Sequence, residues 1–560
     1  MKKIISNTLK EISDYLEFKS ENVFKVRAYR EASRIIENFP EEINTFSDLE
    51  KLKKISGIGE SILSRISEIL TEGRSLYLDK LKEEYPSLEL EDLISIPGLG
   101  IKKVRLLYDT LGVKNIEDLK DVIYSGKILE LRGIGKKVVE KIKKGIEFRE
   151  RNRGFPFPSA FDILKSIFSL LNRIFALIYL TGELRRKKEF VRSFDFVVLS
   201  KDRINLSDYM NITQEEDTPY FKKVFFRFEN ISGIIYVTSK EFLWHTLFYS
   251  TGSWGHVRAV LNKYKSMGFS FWNQRFNNEG EIYKKIDLPV FPPIVREDRG
   301  EFDWYPSFSM ISKKDIKGEL HVHSLWSDGK ATISQILDKA SELGYSYIGI
   351  SDHSASLNVA GGLSIEEVYK KEKEILDLRD KNPQAYPLFG AEVDIKQDGT
   401  LDYPDTILKR FDYVIGAIHT NFGLSFEENT KRIISALRNP YVIAFAHPTG
   451  RELGIRPGYE FDREEVFKEA ERNGVLLEIN GTPRRMDLDS YELSKLRDST
   501  LRFLLSSDAH YLSSLSNIKN SVIIVDKAGI PASKIVNTYD LKELLELFNN
   551  IRKKKNEQTY

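Results

Sequence analysis

Six of the chain's eight histidines fall between His321 and His510, and most of them stand at or just past the end of a short apolar run. In order, the segment reads Glu319-Leu-His321-Val-His323-Ser, Ser327-Asp328-Gly329, Ser351-Asp352-His353-Ser354, Gly390-Ala-Glu392-Val-Asp394, Ala417-Ile-His419-Thr, Ala446-His447-Pro448-Thr-Gly-Arg451 and Ser507-Asp508-Ala-His510. The apolar runs, at 345–351, 386–393, 411–418, 441–446, 474–479 and 501–506, are rich in β-branched and aromatic residues and predict buried strands. Charged stretches with helical spacing separate several of them, at 333–343, 365–378, 427–437 and 462–473. This alternation restricts the segment to a mainly parallel sheet or barrel. Such folds gather ligands at the carboxyl ends of their strands, which is where these polar residues lie.

His321, His323, Asp328, His353, Glu392, His419, His447, Asp508 and His510 are therefore candidate metal ligands. Nine imidazoles and carboxylates exceed what one ion takes and suit two or three divalent ions of the Zn, Mn or Fe type. The chain has no cysteine to compete as a ligand. Glu392 is the candidate bridge, with Asp508 beside it in the catalytic set. Arg451 and Arg485 follow strand ends and either hold phosphate through bidentate contacts or are surface cations. Asp352, Glu478 and Asn480 are expected to orient the ligands.

In its order of His-x-His, Ser-Asp-Gly, Asp-His, Glu, His, His-Pro and Asp-Ala-His, the segment resembles the polymerase-and-histidinol-phosphatase (PHP) domain over roughly 315 to 550. The resemblance implies a distorted (β/α)7 barrel, up to three metals and phosphoester hydrolysis. All nine ligand positions follow the family pattern.

At 560 residues the chain is too long for one core. Its formal charge of +2 hides a local contrast: residues 101–155 hold 15 Lys or Arg against 8 Asp or Glu, whereas residues 1–100 hold 15 against 19. The absence of cysteine gives no disulfide framework, and the charged start and the interruption of the apolar stretch 167–180 by Asn172 and Arg173 predict a soluble cytoplasmic protein without a membrane span.

Three Gly-x-Gly turns recur with the same apolar flanks in the first 150 residues: Gly57-Ile58-Gly59, Gly98-Leu99-Gly100 and Gly133-Ile134-Gly135. They resemble helix-hairpin-helix motifs, whose backbone N–H groups meet nucleic-acid phosphate without reading sequence. Lys102, Lys103, Lys136 and Lys137 follow two of the turns and would add salt-dependent attraction, or form a solvated face. The segment 22–30, with Arg27 and Tyr29, resembles the opening of the amino-terminal domain of family X DNA polymerases, which binds gapped DNA. Where lyase-active members carry a Schiff-base lysine, this chain has Arg65, which cannot serve as an amine nucleophile.

The segment from Thr181 to Asp195, containing Gly182, Glu183, Arg185 and Arg186, resembles the palm motif of that family, in which Gly-Ser-x-Arg-Arg leads to Asp-x-Asp. The first Asp position is Ser193, and only Asp195 remains. Thr251-Gly252-Ser253 with His256 matches the nucleotide-sugar motif, while 231–238, where a third acid is expected, holds none. One carboxylate does not position two magnesium ions, so Mg is implied only if that site works. Residues 292–301, with Arg296 and Glu297, resemble the end of the thumb.

The expectation is a multidomain chain. An all-α helix-hairpin-helix domain occupies 1–152, a degenerate α+β nucleotidyltransferase-like palm with thumb 153–308, and a PHP phosphoesterase barrel 309–560. Its expected activity is metal-dependent 3′-5′ exonuclease action in DNA repair, with cleavage at abasic sites also implied by resemblance. Its expected partner is gapped, single-stranded or 3′-ended DNA. The alternatives are an active gap-filling polymerase, a small-molecule phosphatase of the histidinol-phosphate type, and a DNA-binding scaffold whose metals only stabilise the fold.

Overall fold

The computed structural model describes residues 2–558 apart from 38, 40–42, 44, 54, 56, 97, 152–153, 200–205, 229–230, 358–359 and 382. The chain divides into two compact units, Met1–Asn152 and Arg153–Tyr560. The residues at the expected 152/153 boundary lie outside those described.

The first unit is all helical. Helices Lys2–Phe18 and Val23–Glu37 pack together, and three equivalent turns follow. In these turns Ile58 N–H donates to Ile55 O (3.2 Å), Leu99 N–H to Ile96 O (2.9 Å) and Ile134 N–H to Leu131 O (3.1 Å). The middle residue of each turn is buried. Gly57, Gly98 and Gly133 have φ of 99°, 98° and 94°, a region that residues with a Cβ avoid, so the repeat read in the sequence is a repeat of backbone geometry. The second glycines lead directly into helices Glu60–Glu72, Ile101–Leu111 and Lys136–Arg151.

In the second unit, helix Phe157–Leu171 precedes a mixed five-stranded sheet: β1 (Ile178–Thr181), β2 (Asp195–Leu199), β3 (Asn211–Asp217), β4 (Phe221–Phe228) and β5 (Ile231–Thr238). Its order is β1-β2-β5-β4-β3, and only the β2–β5 pair is parallel. Helices Leu243–Thr251, Trp254–Ser266 and Glu279–Lys284 follow.

Seven parallel strands in sequential order come next: β6 (Gly318–Val322), β7 (Tyr347–Ile350), β8 (Tyr386–Asp394), β9 (Tyr413–Ala417), β10 (Val442–Phe445), β11 (Leu476–Asn480) and β12 (Phe503–Ser506). A bridge between Val322 and Ala509 nearly closes them into a barrel. The helices at Ile333–Glu342, Ile365–Arg379, Phe426–Arg438 and Arg463–Asn473 match the spacing read from sequence. Reciprocal caps start three of them, Thr332 with Gln335, Ser364 with Glu367 and Ser425 with Glu428, which satisfies amide donors that have no intrahelical partner. One apolar core runs through both the mixed sheet and the barrel, including Phe196 and Phe226 from the first and Val322 and Phe389 from the second. The parts read as 153–308 and 309–560 therefore pack as one unit.

Candidate metal centre

Each of the nine ligand candidates stands at or just beyond the carboxyl end of a barrel strand. Three sets bring ligand atoms within 4.8 Å of one another: His323, Asp328, His353 and His510; His321, His323 and Asp508; and His353, Glu392 and His419. His447 joins through its Nε2, 2.9 Å from Glu392 Oε1. Glu392 lies at the middle, with Oε2 facing His353 Nδ1 (2.9 Å) and His321 Nε2 (3.3 Å) and Oε1 facing His419 Nε2 (3.2 Å). Asp508 Oδ1 is 3.3 Å from His323 Nε2. Asp328 and His510 form the most open side of the cluster.

The donor set fits divalent ions. Nε2 of His321, both ring nitrogens of His323, Nδ1 of His353 and of His447, and Oε2 of Glu392 are buried without a hydrogen bond among the described residues. Buried polar atoms are ordinarily paired, so unpaired nitrogens and a carboxylate oxygen on residues that meet at one place fit a metal cluster. Burial alone would raise the Glu392 carboxyl, but the His419, His321 and His353 rings hold it well below the usual range. Asp508 is likewise held down, against its burial, by His321, His323 and His510. Both shifts favour the carboxylate form, the form in which these groups can act as ligands. Burial opposes charge on His419, yet Glu392 and Asp394 push it up to about 10, which marks the cluster as a place that attracts positive charge.

Surrounding groups fix the ligands. Glu478 Oε1 meets His321 Nδ1 at 2.5 Å, and Asn480 Nδ2 donates to Glu478 Oε2 and Asp508 Oδ2, both at 3.2 Å. Asp352 accepts from Ser324 N–H (2.7 Å) and Ser327 Oγ (2.7 Å), fixing the loop between His323 and Asp328. Two roles were not read from sequence. Asp394 Oδ1 meets His419 Nδ1 at 2.6 Å, and its place two residues after Glu392 on the same strand was the available signal. Lys371, fully buried, pairs with Asp352 at 2.9 Å; in a charged helix such a lysine reads as solvent-facing. His447 and Asp508 adopt φ of 27° and 50°, strained values for residues with a Cβ that concentrate at functional positions.

The two arginines differ. Arg485 is half-buried, with Nε 3.6 Å from Asp508 Oδ2, and so faces the cluster. Arg451 instead donates to Arg485 O (3.0 Å), Met486 O and Asp489 Oδ2 (2.7 Å), clamping the loop that carries Arg485.

In the mixed sheet, Asp195 is buried, and its Oδ1 accepts from Ser193 Oγ and Ile234 N–H (3.1 Å). Burial, partly offset by those bonds, pushes its carboxyl up to about 6. A Cβ on Gly182 would come within 2.2 Å of Asp195 Oδ2. Arg185 is bidentate to Glu279 (3.1 and 2.7 Å) and donates to Thr251 Oγ1 (2.6 Å). Arg186 pairs with Glu297 (3.1 Å) and donates to Thr251 O (2.6 Å). Gly252 ends helix Leu243–Thr251, and Ser253 caps the next helix through His256 N–H. His256, wholly buried between Glu301 (2.7 Å) and Tyr283 (2.9 Å), is a core group.

In the first unit Lys102, Lys136 and Lys137 are exposed beside their turns, while Lys103 Nζ donates back to Gly98 O (2.8 Å). Arg65 pairs with Glu68 (3.1 Å) and lies 4.6 Å over the Tyr77 ring. No helix among the described residues is long and apolar enough to cross a membrane.

Comparison with known proteins agrees with this organisation. The Helix-hairpin-helix domain model matches residues 2–75, the SAM-like Helix-hairpin-helix tandem 90–147 and the PHP domain 319–446. Probable phosphatases of Clostridium novyi (strain NT) and Thermoanaerobacter sp. (strain X514) are each 29% identical. They span 40% and 42% of this chain and 92% and 96% of their own. The DNA polymerase/3'-5' exonuclease PolX of Bacillus subtilis (strain 168) is 33% identical over 565 residues, covering 97% of this chain and 98% of that protein. Helix-hairpin-helix units, a central mixed sheet and a PHP barrel thus occur in one continuous match, and the chain belongs to the PolX family of DNA polymerase/3'-5' exonucleases.

Proposed function

We propose that this chain acts mainly as a metal-dependent 3′-5′ exonuclease in DNA repair, with its chemistry in the barrel and its palm retained as a DNA-binding platform that does not transfer nucleotides. A contrast between two sites carries the reading. Around Glu392, nine ligands converge with unpaired buried donor atoms. In the palm, Ser193 stands at one acid position, Asp195 is hydrogen-bonded, and Arg185 and Arg186 are held by Glu279 and Glu297.

His321, His323, Asp328, His353, Glu392, His419, His447, Asp508 and His510 would hold two or three divalent ions of the Mn, Zn or Fe type, with Glu392 spanning two of them. Such ions, when bound, supply hydroxide from water and neutralise phosphoryl and leaving-group oxygens. Asp394 and Glu478 set the orientation of His419 and His321. Arg485 supplies a guanidinium to the phosphate at the mouth of the cluster. The exposed hairpin lysines hold the backbone of gapped, single-stranded or 3′-ended DNA.

The test uses the full chain, manganese and 5′-labelled DNA. Stepwise shortening from the 3′ end is expected, with loss of activity on joint substitution His321→Ala and His323→Ala. Unchanged activity in that variant overturns the reading, as does robust Asp195-dependent extension on gapped DNA with Mg or Mn. The Bacillus subtilis relative is named for both activities, so the polymerase assay is the more demanding arm. A second reading, a small-molecule phosphatase, is favoured by the probable phosphatases that match at 29% identity. Faster turnover of a phosphomonoester than of single-stranded DNA would select it.

A further inference from the structure

The loop between β11 and helix Ser490–Ser494 carries Arg485 to the metal centre at one end and meets the palm at the other. Its path is pinned repeatedly. Asp487 N–H donates to Asn480 O (3.1 Å), Asp487 Oδ2 accepts from Thr449 and Gly450 N–H (3.0 Å each), and Leu453 N–H donates to Arg484 O (2.6 Å). Arg451 clamps three of the loop's residues. Met486 has φ of 43°, a conformation that persists only where surrounding contacts over-determine it.

The last anchor comes from the palm. Ser490 N–H, a first-turn donor without an intrahelical partner, donates to Glu189 Oε1 at 2.9 Å, and both residues are buried. Arg299 Nη1 donates to Ser490 Oγ at 2.5 Å. The segment bearing Glu189 is itself fixed, since Glu189 O accepts Phe157 N–H at 2.9 Å. The ring of the next residue, Phe190, would lie 3.4 Å from a Cβ placed on Gly454. One edge of the palm therefore bears on both loops that set the place of Arg485.

We propose that Glu189 is a positioning residue for the metal centre: by taking the Ser490 amide it fixes the exit of the loop and hence the placement of Arg485. The palm's retention is then explained by a role inside the barrel's chemistry as well as by DNA contact. This inference rests on the reading of Arg485 as the phosphate-holding group.

The test compares four substitutions in the full chain, alone and beside Arg485→Ala. Glu189→Ala removes the acceptor and Glu189→Gln keeps one. Ser490→Pro removes the donor at a first helical position that tolerates proline, after Asp489 with a compatible ψ of 163°. Ser490→Ala removes only the hydroxyl and controls for the Arg299 contact. Glu189→Ala and Ser490→Pro are expected to lower kcat on end-labelled DNA roughly tenfold, with KM and bound manganese little changed, while Glu189→Gln stays near the parent. Neither adds to the loss in an Arg485→Ala background. Full activity in both variants, losses that multiply with Arg485→Ala, or loss of manganese overturns the proposal. Calorimetric binding of inorganic phosphate to the manganese-loaded chain separates this from failure of the exonuclease reading. That binding should weaken in both Arg485→Ala and Glu189→Ala, more in the first, whether or not DNA is degraded, and parent-like phosphate binding in Glu189→Ala overturns the positioning role.

Discussion

Nδ1 of His321 lies 2.5 Å from Oε1 of Glu478, and neither side chain meets solvent. This contact leaves Nε2 of the ring aimed at Glu392 and Asp508. Glu478 is therefore expected to set both the tautomer and the basicity of a ligand it does not replace. Glu478→Gln should weaken manganese binding by about 10- to 100-fold while the chain stays folded. Metal content after dialysis, read beside circular dichroism, checks this; parent-like metal retention would contradict it.

Arg485 and Arg451 separate into two roles that kinetics can tell apart. Arg485 faces Asp508 at 3.6 Å, whereas Arg451 spends its donors on loop carbonyls and Asp489. Arg485→Ala should lower kcat on the order of 10²-fold with little change in melting temperature, as removal of a preorganised donor does. Arg451→Ala should lower both activity and melting temperature, because it leaves carbonyls of the loop unpaired. Equal melting temperatures for the two variants would refute the distinction.

Much of the barrel was legible because its strands are apolar and its helices carry capping pairs. Six runs predicted strands, and strands occur in each. β6 escaped that reading: its five residues include buried Glu319 and His321, which break the apolar pattern, and their burial is made possible by partners more than 150 residues away. The nine residues that meet around Glu392 were legible from residue type and strand-end placement. The groups that orient them were less so, since Lys371 and Asp394 differ from ordinary surface charges only through tertiary packing. The palm showed a related limit. Missing acids were visible in the sequence, but the capture of Arg185 by Glu279, 94 positions away, was not.

The hairpins make a salt-dependence prediction. Lys136 and Lys137 are exposed at the start of the helix that follows Gly133 and Gly135, and the proposed DNA contact has each of them neutralise a phosphate. Joint substitution Lys136→Ala and Lys137→Ala should reduce the slope of log K against log salt on duplex DNA by about 1.8, since each phosphate contact contributes about 0.9. Binding should weaken evenly across sequences, because such contacts carry no base readout. Fluorescence anisotropy over a salt series measures this, and an unchanged slope would place the lysines off the DNA.

Asp526, on helix Ile518–Ala528, makes a prediction about stability. Its Oδ1 accepts Ile311 N–H at 3.0 Å, and burial pushes its carboxyl up to about 7 from an ordinary 3.8, against that bond and the nearby Lys187. Between those two values the folded chain keeps a proton that the unfolded chain releases. The contribution is therefore fully present below about pH 4 and is lost as pH rises through about 7, at no more than about 1.4 kcal/mol per pH unit. Asp526→Asn keeps an acceptor for Ile311 and cannot ionise, so its stability should vary less over this window and exceed that of the parent at pH 8. Urea unfolding of both proteins at pH 4, 6 and 8 decides it: parallel pH dependence would mean that Asp526 is already charged in the folded chain.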